Sequence, residues 1–193
     1  MTHLSSIGAG IFSDLAVGFP SVDLTATTAA ALNSAATFAA VFTTDINNVG
    51  GVKAAGTFVR VPNPREFPQM GVPANIVNVP RYGYKASGQI QGQADSPTLE
   101  VTLNFVGADW DATTLLGGAL GDGKLRAFRF AMLNAKPTAY TSVTGGLGTV
   151  ENSLFHFVGK LEVMQFNPQL TDANQATLTI SQASDLYGPH TVT

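Results

Sequence analysis

The stretch GALGDGKL (118–125) has the sharpest chemical pattern in this sequence. Gly118, Gly123 and Lys124 have the spacing that opens a phosphate-binding loop, but Leu125 stands where Ser or Thr would bind Mg²⁺. Such a loop also leaves a strand and begins a helix, so that helix N–H groups face the phosphate. Here a helical pattern precedes the stretch and a strand pattern follows it, so we interpret it as the turn that ends a helix.

The three histidines offer no obvious catalytic partner. His3 and His190 lie near the termini, where order is least expected. His156 lies between Phe155 and Phe157, and this alternation predicts a polar surface residue that points off the apolar face of a strand. We therefore predict no histidine chemistry.

Metal and nucleophile motifs are also missing from the sequence. Asp109 and Asp111 are too few for Ca²⁺, which takes about six or more oxygen ligands, and we expect them to cap the helix that follows. The chain has no cysteine, which excludes thiolate ligands. No nucleophile elbow, zinc-protease or EF-hand pattern occurs. The sequence predicts no catalytic residue, no metal, no cofactor and no enzyme.

The elements that must position these residues are mostly strands. In PTLEVTLNFV (97–106) the apolar Leu99, Val101 and Leu103 alternate with polar residues, as in a strand with one buried face. Similar patterns predict strands over 56–61, 84–92, 124–132, 138–143, 153–166 and 176–181, and strand character near 38–42. Asn and Gly residues at 47–51 predict a hairpin turn. Residues 109–120 predict one short helix, with Leu115, Leu116 and Leu120 on its apolar stripe and the single tryptophan, Trp110, as a core or interface anchor. Five prolines make 62–80 a long loop.

These patterns predict a mainly β fold with antiparallel pairing, as a two-sheet sandwich or a small barrel, with one flanking α-helix and a long Pro-rich loop. The 193 residues fit a single domain, 1–193. No signal peptide is visible, and the uncharged run 24–44 is too rich in Ala and Thr, with Asn33 and Ser34 inside it, to predict a membrane span.

Charge is sparse and unevenly distributed. Charged residues make up 12% of the chain and hydrophobic residues 45%, which suggests that much of the surface is covered, by the core or by other chains. The net charge of −3 argues against a dedicated nucleic-acid binder. Residues 51–85 nevertheless carry five bases against one acid. This basic segment could bind an anion or the acidic surface of a neighbouring copy.

The order of elements resembles the tail tube (major tail) proteins of long-tailed bacteriophages. The resemblance rests on PTLEVTLNFVGADWDATTLL, KLRAFRFAMLN, FHFVGKLEVMQFNPQLTDANQATLTIS, and the preceding Ile76–Val77–Asn78–Val79–Pro80 element with its nearby tyrosines. It covers about residues 75–185 and leaves the N-terminal segment 1–50 unassigned.

The resemblance implies a β-sandwich subunit whose copies form rings, typically hexameric, that stack into a tube. The partners would be further copies of the chain, other tail proteins such as the tape measure and tail completion proteins, and DNA that passes through without specific binding, with no membrane. The protein would be made in the bacterial host cytoplasm and reside in the virion tail. The loop 62–80 would grip the adjacent ring.

On this reading, specific residues acquire roles. We expect Arg60, Arg65 and Arg81, with Pro64 and Pro68, at contacts between rings or subunits, where the basic segment meets an acidic surface. A pipe for DNA should not hold it, because each phosphate contact adds affinity, so we expect a neutral or acidic bore. Glu100 and Glu162 are the candidates for lining it, although Lys160 on the same face weakens the case for Glu162.

Three other readings stay open at this stage. The chain could be another assembly protein, such as a capsid decoration protein or a secretion-tube ring. It could be a soluble ligand-binding β-sandwich in which 62–80 is the binding loop. It could also be an enzyme whose site is not recognised.

Overall fold

The computed structural model describes residues 12–18, 48–49, 52–53, 59–71, 76–92, 97–135 and 152–190. Within these ranges lie twelve strands: β1 Asp14–Gly18, β2 Asn48–Val49, β3 Val52–Lys53, β4 Val59–Arg60, β5 Pro64–Glu66, β6 Ile76–Val79, β7 Gly88–Gln91, β8 Thr98–Asn104, β9 Arg126–Leu133, β10 Asn152–Asn167, β11 Gln175–Gln182 and β12 Tyr187–His190. No helix in the described residues is long and apolar enough to cross a membrane.

The main sheet of the described chain is antiparallel and curls into a half-barrel. Its strand order is β4-β1-β9-β10-β11-β8-β5, and β12 adds to β10. Two separate hairpins, β2–β3 and β6–β7, complete the described strands. The prediction of a mainly β, antiparallel fold is confirmed, and the curled main sheet is nearer to the small barrel than to the two-sheet sandwich, the two forms predicted.

The core fills the inside of this curl. In β8 and β11 the apolar residues alternate strictly, and the register pairs Leu99 with Ile180 and Val101 with Leu178, all fully or almost fully buried. Further along, the buried rings of Phe128 and Phe157 stack with centroids 5.0 Å apart. Because side chains in a strand point alternately to opposite faces, the sequence pattern alone fixes which face of these strands is buried.

The predicted α-helix over 109–120 is wrong. The segment forms two short 3-10 helices, Gly107–Trp110 and Gly117–Ala119, joined by turns. Polar side chains compete for the backbone here: Asp111 Oδ1 accepts hydrogen bonds from the N–H of Thr113 (2.8 Å) and from its hydroxyl (2.6 Å). The predicted apolar stripe also divides, since Leu116 is buried whereas Leu115 is 52% exposed. Trp110 does pack in the core, as predicted.

Within this segment the backbone at Gly117 packs so closely against the backbone at Asp111 that only glycine fits. A Cβ on Gly117 would lie 2.1 Å from the carbonyl oxygen of Asp111, far inside contact distance. Gly121 (φ +68°) and Gly123 (φ +73°) then turn the chain into β9, and Gly121 N–H donates to the Leu161 carbonyl at 3.0 Å. The turn predicted for 118–125 is therefore present, although no α-helix precedes it.

Strand β10 breaks the predicted alternation. Leu161 pairs with Ile180 and Val163 with Thr179, so Glu162 is an extra bulge residue. Beyond the bulge the faces exchange: Met164 is buried, and Val163, predicted to align with Phe155, Phe157 and Leu161, is 46% exposed.

The second face of β1, β9 and β10 is also buried. It carries Asp14, Arg129 and His156, each at most 1% exposed, and Arg129 is the cross-strand partner of His156. Asp14 accepts from Arg60 Nε at 2.9 Å and lies 3.7 Å from Arg129 Nη2. The prediction that His156 is a surface residue is wrong, because alternation shows which face a side chain takes and not whether that face is covered.

Several elements of the structure have other boundaries than the sequence predicts. The Pro-rich loop 62–80 contains β5 and β6, and the strand predicted over 84–92 is shorter, as β7 Gly88–Gln91. Strands β1 and β12 had no prediction. β2 and β3 pair antiparallel, Asn48 with Lys53 and Val49 with Val52. Of the hairpin turn predicted at 47–51, residues 47, 50 and 51 lie outside the described residues. The strands predicted over 38–42 and 138–143 lie outside the described residues.

Candidate assembly surfaces

The most exposed regular element among the described residues is the hairpin of β6 and β7, residues 76–91, which we term the arm. Its register pairs Val77 with Ile90 and Val79 with Gly88. This pairing places Val77, Val79 and Ile90 on one face, where they are 47%, 37% and 59% exposed. The arm therefore presents an apolar face to solvent.

The opposite face of the arm is polar. Asn78 pairs with Gln89, and Ile76 with Gln91, so three amides and one isoleucine share this side. An isolated two-stranded hairpin is marginally stable in water and normally needs a third strand or a packing partner. The arm thus has the pattern of an amphipathic ribbon whose apolar side lacks a partner among the described residues.

The turn at the end of the arm is aromatic and basic. Tyr82 is fully exposed and Tyr84 is 72% exposed. The guanidinium of Arg81 lies 6.0 Å from the ring centre of Tyr84, at the outer limit of a cation–π contact. Lys85 follows, and residues 76–92 contain no carboxylate. We term residues 81–85 the tip.

A cavity of about 200 Å³ lies between the end of β4 and the 3-10 segment. We term it the groove; it is lined by Val59, Pro62, Ala108, Asp109, Thr114, Leu115 and Leu116. A second cavity, of about 270 Å³, adjoins it and shares Pro62 and Asp109. The groove is mostly apolar, with one carboxylate in its wall.

The rim of the groove is acidic. Asp109 Oδ2 accepts from Asn63 Nδ2 at 3.3 Å, and Asp111 is exposed close by along the chain. Hydrogen bonds from the hydroxyl and then the backbone N–H of Thr113 hold the pKa of Asp111 below its usual value. Asp111 is therefore negatively charged at neutral pH.

The structure separates the three arginines that were predicted at contacts. Arg60 forms the ion pair with Asp14 and is 24% exposed. Arg65 pairs with Asp172 at 3.1 Å on the open surface. Arg81 lies on the tip, and no carboxylate in the described residues is within ion-pair distance of it. Arg81 is consequently the best placed of the three for another copy, and the contact role of all three stays a prediction.

The two prolines in the same prediction lie in and beside β5. Pro64 begins β5 and pairs with Leu103 of β8 at the end of the sheet order, where a residue without an N–H is tolerated. Pro68 is half-buried after the strand. Their predicted role between subunits is untested by this geometry.

The two glutamates predicted to line a bore share one face of the sheet. Glu100 is the cross-strand neighbour of Thr179, and Glu162 accepts from the Ser181 hydroxyl at 2.5 Å. This polar face also carries Lys160, which pairs with Ser181. The same face carries the hydroxyl-bearing Thr98, Thr102 and Thr177, and beyond the bulge it also carries Val163 and Gln165. The structure thus brings Glu100 and Glu162 together, although which space they face in an assembly stays a prediction.

The sheet has strand segments without a second neighbour among the described residues. β5 pairs only with Thr102 and Leu103 of β8, which leaves 98–101 open on that side. β9 pairs with β10 only as far as Gly159, so residues 163–167 of β10 have no strand partner on the side that β9 occupies. Unpaired backbone groups of this kind readily pair with another chain.

The loop that resembles a phosphate site is occupied by a carboxylate. Asp122 makes two hydrogen bonds with the guanidinium of Arg126, at 2.8 and 2.5 Å, and accepts from the Lys124 N–H at 3.0 Å. The Arg126 hydrogen bond holds the pKa of Asp122 below its usual range. A negative charge at this position opposes phosphate binding. No cluster of three potential metal ligands occurs in the described residues.

Sequence analysis predicted a strand over 84–92, which contains β7, but it missed strand β6 and therefore the pairing that forms the arm. The signal was present: Val77 and Val79 alternate with Asn78, and Ile90 lies between Gln89 and Gln91. The prolines on both sides of 76–79 obscured it. The groove was not foreseeable, because its walls come from segments about 50 residues apart.

No protein-family model and no curated protein matches this chain.

Proposed function

We propose that this protein is a structural subunit that assembles with copies of itself into stacked rings, as in the tail tube of a long-tailed bacteriophage. The observation that carries the proposal is the arm, whose apolar face with Val77, Val79 and Ile90 is open to solvent. A face of this kind costs solubility in a lone molecule and is usually covered by a partner.

The open strand edges support the same proposal. Ring closure would pair the open side of 98–101 or of 163–167 with another subunit, in the way that sheet edges are completed by added strands. A ring needs two different surfaces that meet head to tail, and these two edges lie at different places on the sheet.

The polar face supports the assignment to a conduit. Glu100 and Glu162 are the acidic groups we place toward the lumen, and Lys160 beside them keeps the face near neutral. A nearly neutral, hydroxyl-rich wall adds few phosphate contacts, so DNA would pass without being held. The virion tail would be the location of such a subunit.

Negative-stain microscopy of the purified protein tests the proposal. Rings with a central hole, or tubes built from them, are the expected result. Trimers would instead favour a capsid decoration protein, and monodisperse monomers at high concentration would refute self-assembly.

A further inference from the structure

We propose that the tip of the arm of one copy docks in the groove of the next copy. This inference rests on the proposed function and adds to it the receptor surface and the residues that form the contact. The tip supplies Tyr82 and Tyr84 with Arg81 and Lys85, and the groove supplies an apolar pocket with an acidic rim.

The tip has the composition of an interface anchor. Tyrosine and arginine dominate the residues that contribute most to protein–protein binding, and they do so by filling pockets on the partner. Tyr82 is fully exposed, so its ring is not packed against its own subunit. A ring this exposed is available to another copy.

The groove matches a single aromatic side chain. Its walls are the side chains of Val59, Pro62, Leu115 and Leu116, and Asp109 is the carboxylate among them. A tyrosine ring inserted there would contact the apolar walls while its hydroxyl donates to the carboxylate of Asp109. The ring would then be buried among apolar side chains, and its hydroxyl would have the hydrogen-bond partner that a buried tyrosine needs.

The charges of the two surfaces are complementary. Residues 76–92 hold two bases and no acid, whereas 106–116 hold Asp109 and Asp111 and no base. Arg60 lines the adjoining cavity, but its Nε faces Asp14 in the ion pair at 2.9 Å. Opposite charge on two different surfaces of one chain favours a head-to-tail contact that can repeat from copy to copy.

Site-directed cross-linking tests the contact. Because the chain has no native cysteine, only the introduced thiols can react. The variant carries Ala86→Cys, next to the tip, and Ala108→Cys, at the groove, so that the anchoring side chains of the proposed contact are all kept. It is treated with a short bismaleimide and separated on a denaturing gel. Docking holds the two thiols at an effective concentration in the millimolar range, so products that join copies should form about 1,000-fold faster than by chance encounter at micromolar protein.

The matched control uses Leu170, a fully exposed apolar residue in a loop, and combines Leu170→Cys with Ala108→Cys. This pair should give only the chance rate. Equal yields from the two pairs would overturn the inference, and so would a ladder that each single-cysteine variant forms equally well.

A charge exchange gives a second readout that does not depend on cross-linking. Asp109→Lys and Arg81→Glu should each raise the concentration at which half of the protein assembles by about tenfold. The combined variant should assemble at a lower concentration than either single variant, although not at the wild-type value, because the hydrogen bond from the tyrosine hydroxyl to Asp109 is lost. Circular dichroism shows whether each variant is folded. A combined variant no better than either single one would overturn the inference.

The two proposals fail in different ways. If the wild-type chain forms no rings or tubes under the microscope, the proposed function itself is refuted. If the wild-type chain assembles and the groove variants assemble equally well, self-assembly stands and only the tip-to-groove contact is refuted.

Discussion

The apolar face of the arm should contribute to association between copies and hardly at all to the stability of the subunit. The test variant carries Val77→Thr, Val79→Thr and Ile90→Thr, which keeps β-branched side chains in both strands. The exposed fractions of the three side chains together amount to about one and a half residues. Burying that much apolar side chain on a neighbour is worth about 2–4 kcal/mol per arm.

Threonine keeps one methyl group, so the variant should lose about half of this, or about 1–2 kcal/mol per contact. That loss corresponds to an association constant about 5- to 30-fold lower at each contact. Sedimentation velocity over a concentration series measures this shift. The free energy of unfolding of dilute subunits, measured by chemical denaturation, should change by no more than about 0.5 kcal/mol, as for other surface substitutions.

The matched control alters the other side of the same hairpin, with Asn78→Thr, Gln89→Thr and Gln91→Thr. These positions share the strands and the exposure of the arm but not its apolar face. The control should associate like the wild type. The reasoning is refuted if both variants associate equally, or if the apolar-face variant destabilises the dilute subunit by as much as a core substitution does.

Three further predictions concern single positions. Asp14→Ala should destabilise the fold by about 3–5 kcal/mol in chemical denaturation, because the buried carboxylate of Asp14 pairs with both Arg60 and the buried Arg129; a loss below about 1 kcal/mol, the level of a surface pair, would contradict this. Asp122→Asn should cost about 1 kcal/mol at neutral pH, since Asp122 is partly exposed. The lowered pKa of Asp122 means that its contribution is present above the unfolded-state pKa and lost as pH falls through the folded-state pKa, so stability of the variant should fall less on acidification below about pH 4, and equal acid sensitivity would count against the pair. Glu100→Lys should make assembled tubes retain DNA in a salt-dependent manner in a filter-binding assay, and salt-independent or absent retention would argue that Glu100 faces away from the lumen.

Strict alternation carried most of the correct predictions. In β8 and β11 every second residue is apolar, and both strands are half-buried as such a pattern requires. Strands β1 and β12 gave no such signal. Asp14–Gly18 is buried on both faces, so its sequence DLAVG does not alternate in the usual way, and Tyr187–His190 contains a glycine and a proline.

The errors arise where tertiary context overrides local pattern. Leucine spacing predicted a helix at 109–120, but Thr113, Thr114 and Gly117 favour turns and tight 3-10 geometry. One bulge residue, Glu162, reverses the faces of the end of β10, and no periodicity reveals a bulge in advance. His156 is buried because its face of the sheet is covered, which depends on distant parts of the chain.

For the candidate assembly surfaces too, the sequence identified individual residues but not their long-range partners. The sequence placed Arg81, Glu100 and Glu162 among residues of interest, and the structure puts the first on the tip and the other two on one polar face. It could not show that Arg60 and Arg65 already have acidic partners in their own chain, because Asp14 and Asp172 lie 46 and 107 residues away. Long-range pairing of this kind follows from the fold and not from spacing.

Amide hydrogen exchange across residues 76–91 tests the central claim most directly, because it reports on the arm itself. In dilute solution these amides should exchange rapidly, as expected for a two-stranded ribbon with an open apolar face. At concentrations where larger species form, the same amides should become strongly protected, while those of β8 and β11 stay protected throughout. An arm that is equally protected at every concentration, or that gains no protection in the assembled state, would contradict the account.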